Sequence, residues 1–380
     1  MTGIAVRNDN LPATLDELSK FVLIGREKLV SVRAEIRAIE KVGLAHEVRQ
    51  QKLTEAQDIA EAVLDAEVRI GQLMAQVPKQ NTHNRAAVRP NTDVKSKTEV
   101  IKNMGFTPMQ VSRFEALAAH PEIVEQAKAE ARENDDIVTR SAALSKINLE
   151  TKRNTILEAE RSIAEQASEE TKPILFIGDG IGFKPKEQYD LLLTDPPYST
   201  DVDDIDSFAE EWLFDALNGV KRTGFAYVFI GAYPNELRAY LNATIPPHIT
   251  LEQVLVWTYK NTLGQSPRDR YKLNYQACLF FRGEAAPALN CPLTCEQWAV
   301  QEINAPDGRQ GDRYHAWQKP IEIAERFIRH STEKGMTVFD PFACTGTFLL
   351  AAAKLGRKAY GFEIDPDNAQ IAYERGCVSG

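Results

Sequence analysis

Residues 189–198 read YDLLLTDPPY, an apolar run that stops at an acid and two consecutive prolines. The run is short and does not alternate, which predicts a strand buried on both faces. Pro196 and Pro197 cannot continue a ladder, so the chain turns there and leaves carbonyls as open acceptors. In an open α/β sheet, ligands lie at the carboxyl ends of the strands. Asp195 and the Pro196 carbonyl are therefore candidates to accept both hydrogens of an exocyclic amino group. Tyr198 is a candidate to stack on the ring that bears it.

Working outward, similar runs occur at 174–179 (ILFIGD), 225–232 (FAYVFIGA), 252–259 (EQVLVWTY), 277–283 (ACLFFRG), 336–342 (MTVFDPF) and 358–365 (KAYGFEID). Helical stretches such as Ile321–Ser331 and Thr347–Leu355 lie between several of them. This alternation predicts a doubly wound, Rossmann-like α/β sheet over residues 171–380. Upstream the texture is different. From Leu15 to about Gln76 apolar residues recur at three and four, and helical, charge-rich sequence resumes at Lys97, which predicts an all-α domain over residues 1–170. The segment Val77–Ser96, with Pro78 and Pro90, reads as a linker.

A second motif is FDPFACTGT at 339–347, which leaves a strand, turns through small residues and enters a helix. Such a turn brings backbone N–H groups close to a ligand at the positive end of the helix. Glu363 ends the next strand 23 positions after Asp340, roughly the offset at which an acid meets ribose hydroxyls. Together these point to a nucleoside-bearing cofactor.

Residues from about 172 to 376 resemble the amino-methyltransferases of DNA, which move a methyl group from S-adenosylmethionine to an exocyclic base nitrogen. DPPY at 195–198 is similar to their catalytic motif, DPFACTGT at 340–347 to their cofactor loop, and HAWQKP at 315–320 to the box that precedes that loop. The catalytic motif comes first and the cofactor loop last, as in the permuted β-type arrangement. The resemblance implies that Asp195, Pro196, Pro197 and Tyr198 form the catalytic turn. It implies further that Asp179 meets the cofactor adenine and that Asp340, Phe342, Thr345, Gly346 and Thr347 line its methionine end. Glu363 would take the ribose, and Lys319 and Pro320 would support the cofactor from the preceding helix. Cys344 stands where the family usually has glycine, and its side chain is expected to crowd the methionine part. DPPY in this family goes more often with adenine N6 than with cytosine N4, so adenine is the expected target. A cytosine N4 target, an RNA or protein substrate, and a DNA-binding regulator with a non-catalytic methyltransferase domain are the competing readings.

The family places target recognition at about 199–313, where Lys260, Arg268 and Arg270 interleave with Trp257 and Tyr271 and suit contact with phosphates and bases. More weakly, Thr98–Leu117 resembles the helix-turn-helix of phage and plasmid partition-type proteins. Thr107 and Pro108 open its second helix, and Gln110, Ser112 and Arg113 would face the major groove. Double-stranded DNA is the expected partner. A homodimer and a separate restriction endonuclease are compatible with this reading.

The formal net charge of −9 argues by itself against nucleic acid. It is unevenly spread: residues 1–150 sum to −1 and residues 151–380 to −8. From Lys79 to Arg113 seven basic residues face two acidic ones, so DNA is expected to be gripped locally and in a salt-sensitive way. Five cysteines without a second pair or a nearby histidine set predict reduced thiols and no metal. Asp201, Asp203, Asp204 and Asp206 lack the glycine and closing glutamate of a calcium loop and read as a solvated loop. No run of about 18 apolar residues occurs, and the N-terminus has no signal pattern, so a bacterial or phage-infected cytoplasm is expected.

Overall fold

The structure is a computed structural model that describes residues 11–42, 46–77, 97–261, 266–316 and 318–380. Lys79, Arg85, Arg89 and Lys95 of the basic segment, and Trp317, lie outside the described residues. The chain forms two compact units, Met1–Thr151 and Lys152–Gly380.

The first unit is all helix among the described residues: α1 (Leu15–Val42), α2 (His46–Ala75), α3 (Lys97–Asn103), α4 (Pro108–Ala119), α5 (Pro121–Glu133) and the start of α6 (Arg140–Gln166). The apolar faces read from the sequence close on one another. Leu18 and Val22 of α1 and Ile70 and Met74 of α2 pack with Ile101, Phe106, Val111 and Phe114. The turn between α3 and α4 contains Gly105 at φ 73°, a conformation suited to glycine. Thr107 caps α4 as expected. Its hydroxyl accepts from the Gln110 N–H at 3.2 Å, and Gln110 Oε1 accepts the Thr107 N–H at 2.8 Å, completing a capping box.

The second unit carries strands β1 (Pro173–Ile177), β2 (Tyr189–Thr194), β3 (Val220–Ile230), β4 (Ile249–Thr258), β5 (Tyr275–Gly283), β6 (Val300–Glu302), β7 (Thr337–Asp340), β8 (Lys358–Glu363) and β9 (Val378–Ser379). They form one sheet in the order β6-β4-β5-β3-β2-β7-β8-β1-β9. Its helices are α7 (Ile205–Asn218), α8 (Pro234–Asn242), α9 (Ile321–Ser331), α10 (Thr347–Lys354) and α11 (Pro366–Arg375). Side chains alternate across the sheet. Leu191, Leu193, Phe225, Tyr227 and Phe229 face the layer of α9, α10 and α11. Leu192, Ala226, Val228 and Ile230 face the layer of α7 and α8. The doubly wound α/β sheet is therefore present, with helices on both faces. β5 runs antiparallel between β3 and β4, so the sheet is mixed on that side.

Two boundaries differ from the sequence reading. The units part at Thr151/Lys152, inside α6, rather than near residue 170. The reason is that the end of α6 belongs to the second core: Ala164 packs there, and Glu160 pairs with Arg375 at 2.9 Å. The segment 199–313 is not a single insert either. It supplies α7, β3, α8, β4, β5 and β6, because runs such as 225–230 and 277–283 are apolar on both faces and belong to the sheet itself. Among the described residues no helix is long and apolar enough to cross a membrane.

Gly71 of α2 marks the tightest helix approach in the first unit. A Cβ there would fall 2.0 Å from the Phe114 carbonyl oxygen of α4. Gly71→Ala is expected to force α2 and α4 apart and to cost about 1–3 kcal/mol, as overpacking does. Urea unfolding followed by circular dichroism measures it, and an unchanged midpoint would contradict the packing.

Candidate active site

β2 and β7 are neighbours near the middle of the sheet, and both end in acid-bearing turns. The chain reaches β3 from β2 on one side and β8 from β7 on the other, so their carboxyl ends open the crevice where such sheets hold ligands. A cavity of about 480 Å³ lies there. It is lined by every catalytic and cofactor residue expected from the sequence except Gly346 and Pro320. Pro320 instead caps α9, and Gly346 caps α10 at φ 78°, where a Cβ would meet the Cys377 sulfur at 2.7 Å.

The two turns are fastened to each other. Thr194 Oγ1, on the last residue of β2, donates to Asp340 Oδ1 at 2.7 Å, and the same oxygen accepts the Phe342 N–H at 3.1 Å. Burial raises the Asp340 carboxyl to about 7, against the pull of these two donors. Further along the loop, Cys344 sits at φ 47°, in the left-handed region. That conformation suits glycine and strains cysteine. Burial pushes the Cys344 thiol up to about 12, so it stays protonated. Asp179 accepts the Ile181 N–H at 2.9 Å and Glu363 the Asp365 N–H at 2.8 Å; both line the cavity.

At the DPPY turn, the Tyr198 hydroxyl donates to Asp195 Oδ1 at 2.6 Å. Lys319 Nζ donates to the Tyr198 hydroxyl at 2.6 Å and forms an ion pair with Asp195. Burial holds Asp195 above the ordinary carboxylate range despite the ammonium beside it, and it holds Lys319 below the ordinary lysine range. Lys319 thus lies just ahead of α9, not on a preceding helix, and it pairs directly with the Asp195 carboxylate. Tyr198 is buried, its hydroxyl anchored and its ring under the Lys319 ammonium at 5.3 Å.

Several residues escaped sequence reasoning. Glu236 of α8, fully buried, accepts the N–H groups of Ser199 at 3.0 Å and Gly231 and so pins the DPPY turn to the end of β3. Asp201 accepts the Tyr198 N–H at 3.1 Å, Asp204 caps α7 and Asp206 pairs with Arg238, so three of the four aspartates in the expected solvated loop have structural partners. Gln318 accepts the Tyr314 N–H and donates to the Asp312 carbonyl, which shapes the approach to Lys319. Arg375 donates to the Thr345 carbonyl at 2.6 Å and to Thr347 Oγ1 at 2.9 Å, fixing the start of α10. Apart from Gln318, which lies in the HAWQKP box, no motif marks these positions. Among the described residues no cluster of metal-ligating side chains occurs.

None of the expected DNA-contacting residues lines this cavity. Ser112 and Arg113 are exposed on α4, whereas Gln110 is committed to the capping box. Arg268 and Arg270 are exposed in the segment between β4 and β5, and Lys260 pairs with Glu302.

Residues 189–374 match the N6/N4 family model described as DNA methylase. The type II methyltransferase M.HpaI of Haemophilus parainfluenzae is 26% identical over 49% of this chain and 67% of its own length. M.HinfI of Haemophilus influenzae is 25% identical over 50% of this chain and 64% of its own length. M.BamHI of Bacillus amyloliquefaciens is 26% identical over 50% of this chain and 53% of its own length. The matches thus span between about half and two thirds of these relatives. Among solved structures, the cytosine-N4-specific PvuII DNA methyltransferase aligns with a TM-score of 0.44 at 22% identity, over 53% of this chain and 85% of that one. M1.HpyAVI in complex with SAM aligns with a TM-score of 0.42 at 18% identity, over 53% and 98%. Over residues 189–374 this chain is thus similar to the N6/N4 DNA methylases.

Proposed function

We propose that the chain methylates an exocyclic amine of a base in double-stranded DNA, with S-adenosylmethionine as donor and adenine N6 as target. The observation that carries the reading is the DPPY turn and the DPF loop opening into one cavity from adjacent strand ends. Aspartate rather than serine at position 195 supports adenine over cytosine N4.

The cavity suits the cofactor. Glu363 at the end of β8 offers an acid for ribose hydroxyls, and Phe342, Phe362 and Ile181 give an apolar wall for a base ring. Thr345 and Thr347 flank the start of α10, whose N–H groups favour a carboxylate. When bound, S-adenosylmethionine supplies an electrophilic methyl group on a positively charged sulfur. The chain's own residues prepare the amine. Asp195 and the Pro196 carbonyl accept its two hydrogens, which localises the nitrogen lone pair and aims it. Lys319 balances the Asp195 charge, so the carboxylate accepts without a net charge being buried. Burial raises the proton affinity of Asp195, the carboxylate placed to take the proton that the methylated amine sheds. The base must leave the duplex stack to reach this site. In the first unit, α4 offers Ser112 and Arg113 to the backbone or major groove.

Tritiated S-adenosylmethionine incubated with duplex DNA, RNA and protein tests the reading. Label is expected in DNA, and Asp195→Ala is expected to lower transfer by roughly a hundredfold or more. Label confined to RNA or protein overturns the DNA assignment, and cofactor binding without transfer to any substrate favours a regulator.

Lys319 sets a pH dependence. Its charge holds the raised Asp195 proton affinity in check, so removing it raises that affinity further. In Lys319→Met the acid limb of the kcat/KM profile is expected to move to higher pH, while Lys319→Arg keeps it near the wild-type position. An unmoved limb in the methionine variant contradicts the coupling.

Cys344→Gly relieves a left-handed backbone that costs an L-residue roughly 1–2 kcal/mol and clears the cavity wall. Tighter cofactor binding by titration calorimetry and no loss of thermal stability are expected.

A further inference from the structure

Beside the catalytic turn lies a second cavity of about 230 Å³. Trp257 and Tyr259, at the end of β4, form one wall, with ring centroids 4.8 Å apart. Lys272, Arg313 and Gln276 of β5 line it as well. Gln276 is 7% exposed, and its Oε1 has no hydrogen-bond partner among the described residues. The other end of the same amide donates to the Tyr198 hydroxyl, which in turn donates to Asp195. A buried acceptor without a donor is unfavourable, and the cavity that Gln276 lines has aromatic and cationic borders, the surroundings in which nucleobases bind.

The donor cannot come from the base under methylation. Adenine and cytosine each carry one amine and, within a nucleotide, no ring N–H. Once that amine is held at Asp195 and Pro196, neither base has another N–H to offer. We propose that this cavity takes a second base of the recognition sequence, and that Gln276 Oε1 reads an N–H donor on it. Gln276 is then a specificity-determining residue of the reaction, and its contact with Tyr198 joins that reading to the catalytic turn. This inference rests on the proposed DNA methylation.

Sequencing methylated DNA from an expressing host first gives the recognition motif. Duplexes are then made in which each base other than the target is replaced by an analogue lacking one Watson–Crick N–H donor. With the wild-type protein, one position is expected to show about a tenfold loss of kcat/KM, the size of a buried hydrogen bond. In Gln276→Met, that analogue is expected to cause no further loss, and the host methylation motif loses its preference at that position. Gln276→Glu, which keeps an acceptor, is expected to retain the sensitivity. Cofactor binding by calorimetry identifies a variant that has merely misfolded, in which case the glutamate variant and the wild-type analogue series decide. Undiminished discrimination in Gln276→Met, or no sensitive position in the wild type, overturns the inference while leaving the methylation reading intact. Absence of methylated DNA overturns both.

Discussion

The second unit is organised around a buried ammonium ion. Lys319 is 3% exposed, and removing such a charge from water costs several kcal/mol unless it is paired. Its partners come from separate elements: Asp195 and Tyr198 follow β2, Phe229 lies in β3 and Trp257 in β4, the last two with ring centroids 5.4 and 5.8 Å from the ammonium. The sheet must place β2, β3 and β4 correctly for all of these to meet, and α9 must begin where it does. The ion pair therefore ties the fold to the site. An Asp195 without Lys319 would be an uncompensated carboxylate in the same low-dielectric space.

The cofactor side of the cavity is held differently, by hydrogen bonds that run from buried side chains to turn backbone. Arg375, 1% exposed, stacks over Tyr314 at 4.6 Å, pairs with Glu160 and donates to Thr345 and Thr347. Thr194 and Asp340 couple this loop to the DPPY turn. A displacement of either strand end is thus felt at both halves of the cavity, as preorganised placement of reacting groups requires.

Much of this was legible in the sequence. Short runs of unalternating apolar residues produced β2, β3, β5 and the other long strands, and Thr107-Pro108 opened α4. β6 and β9 escaped because three and two residues carry no pattern. DPPY and DPFACTGT located the cavity since each is a local turn whose residues act within a few positions of one another. Lys319 was found, but its pairing with Asp195 was not, because that contact spans 124 positions. Glu236, Gln276 and Arg375 were invisible for the same reason: an acid, an amide or a guanidinium on a helix or strand has no signature until the fold supplies its partner. Cys344 shows the converse. The departure from glycine was readable, but its cost follows from a backbone dihedral that only the structure gives.

The formal charge is also reinterpreted by burial. Glu236, Asp340 and Glu363 are 0%, 1% and 8% exposed, so three of the acids behind the −8 of residues 151–380 face the interior. Glu236 and Glu363 accept backbone N–H groups, Asp195 faces Lys319, and Asp340, raised to about 7, is only partly ionised at neutral pH. A count of acidic residues treats these as surface charge, yet they act over a few ångströms on the groups they touch. The field that a polyanion meets is set by exposed side chains such as Arg113, Arg268 and Arg270 and falls off within a Debye length of about 8–10 Å at physiological salt. The net charge of an acidic chain therefore does not describe its surface, because several of its carboxylates are directed inward.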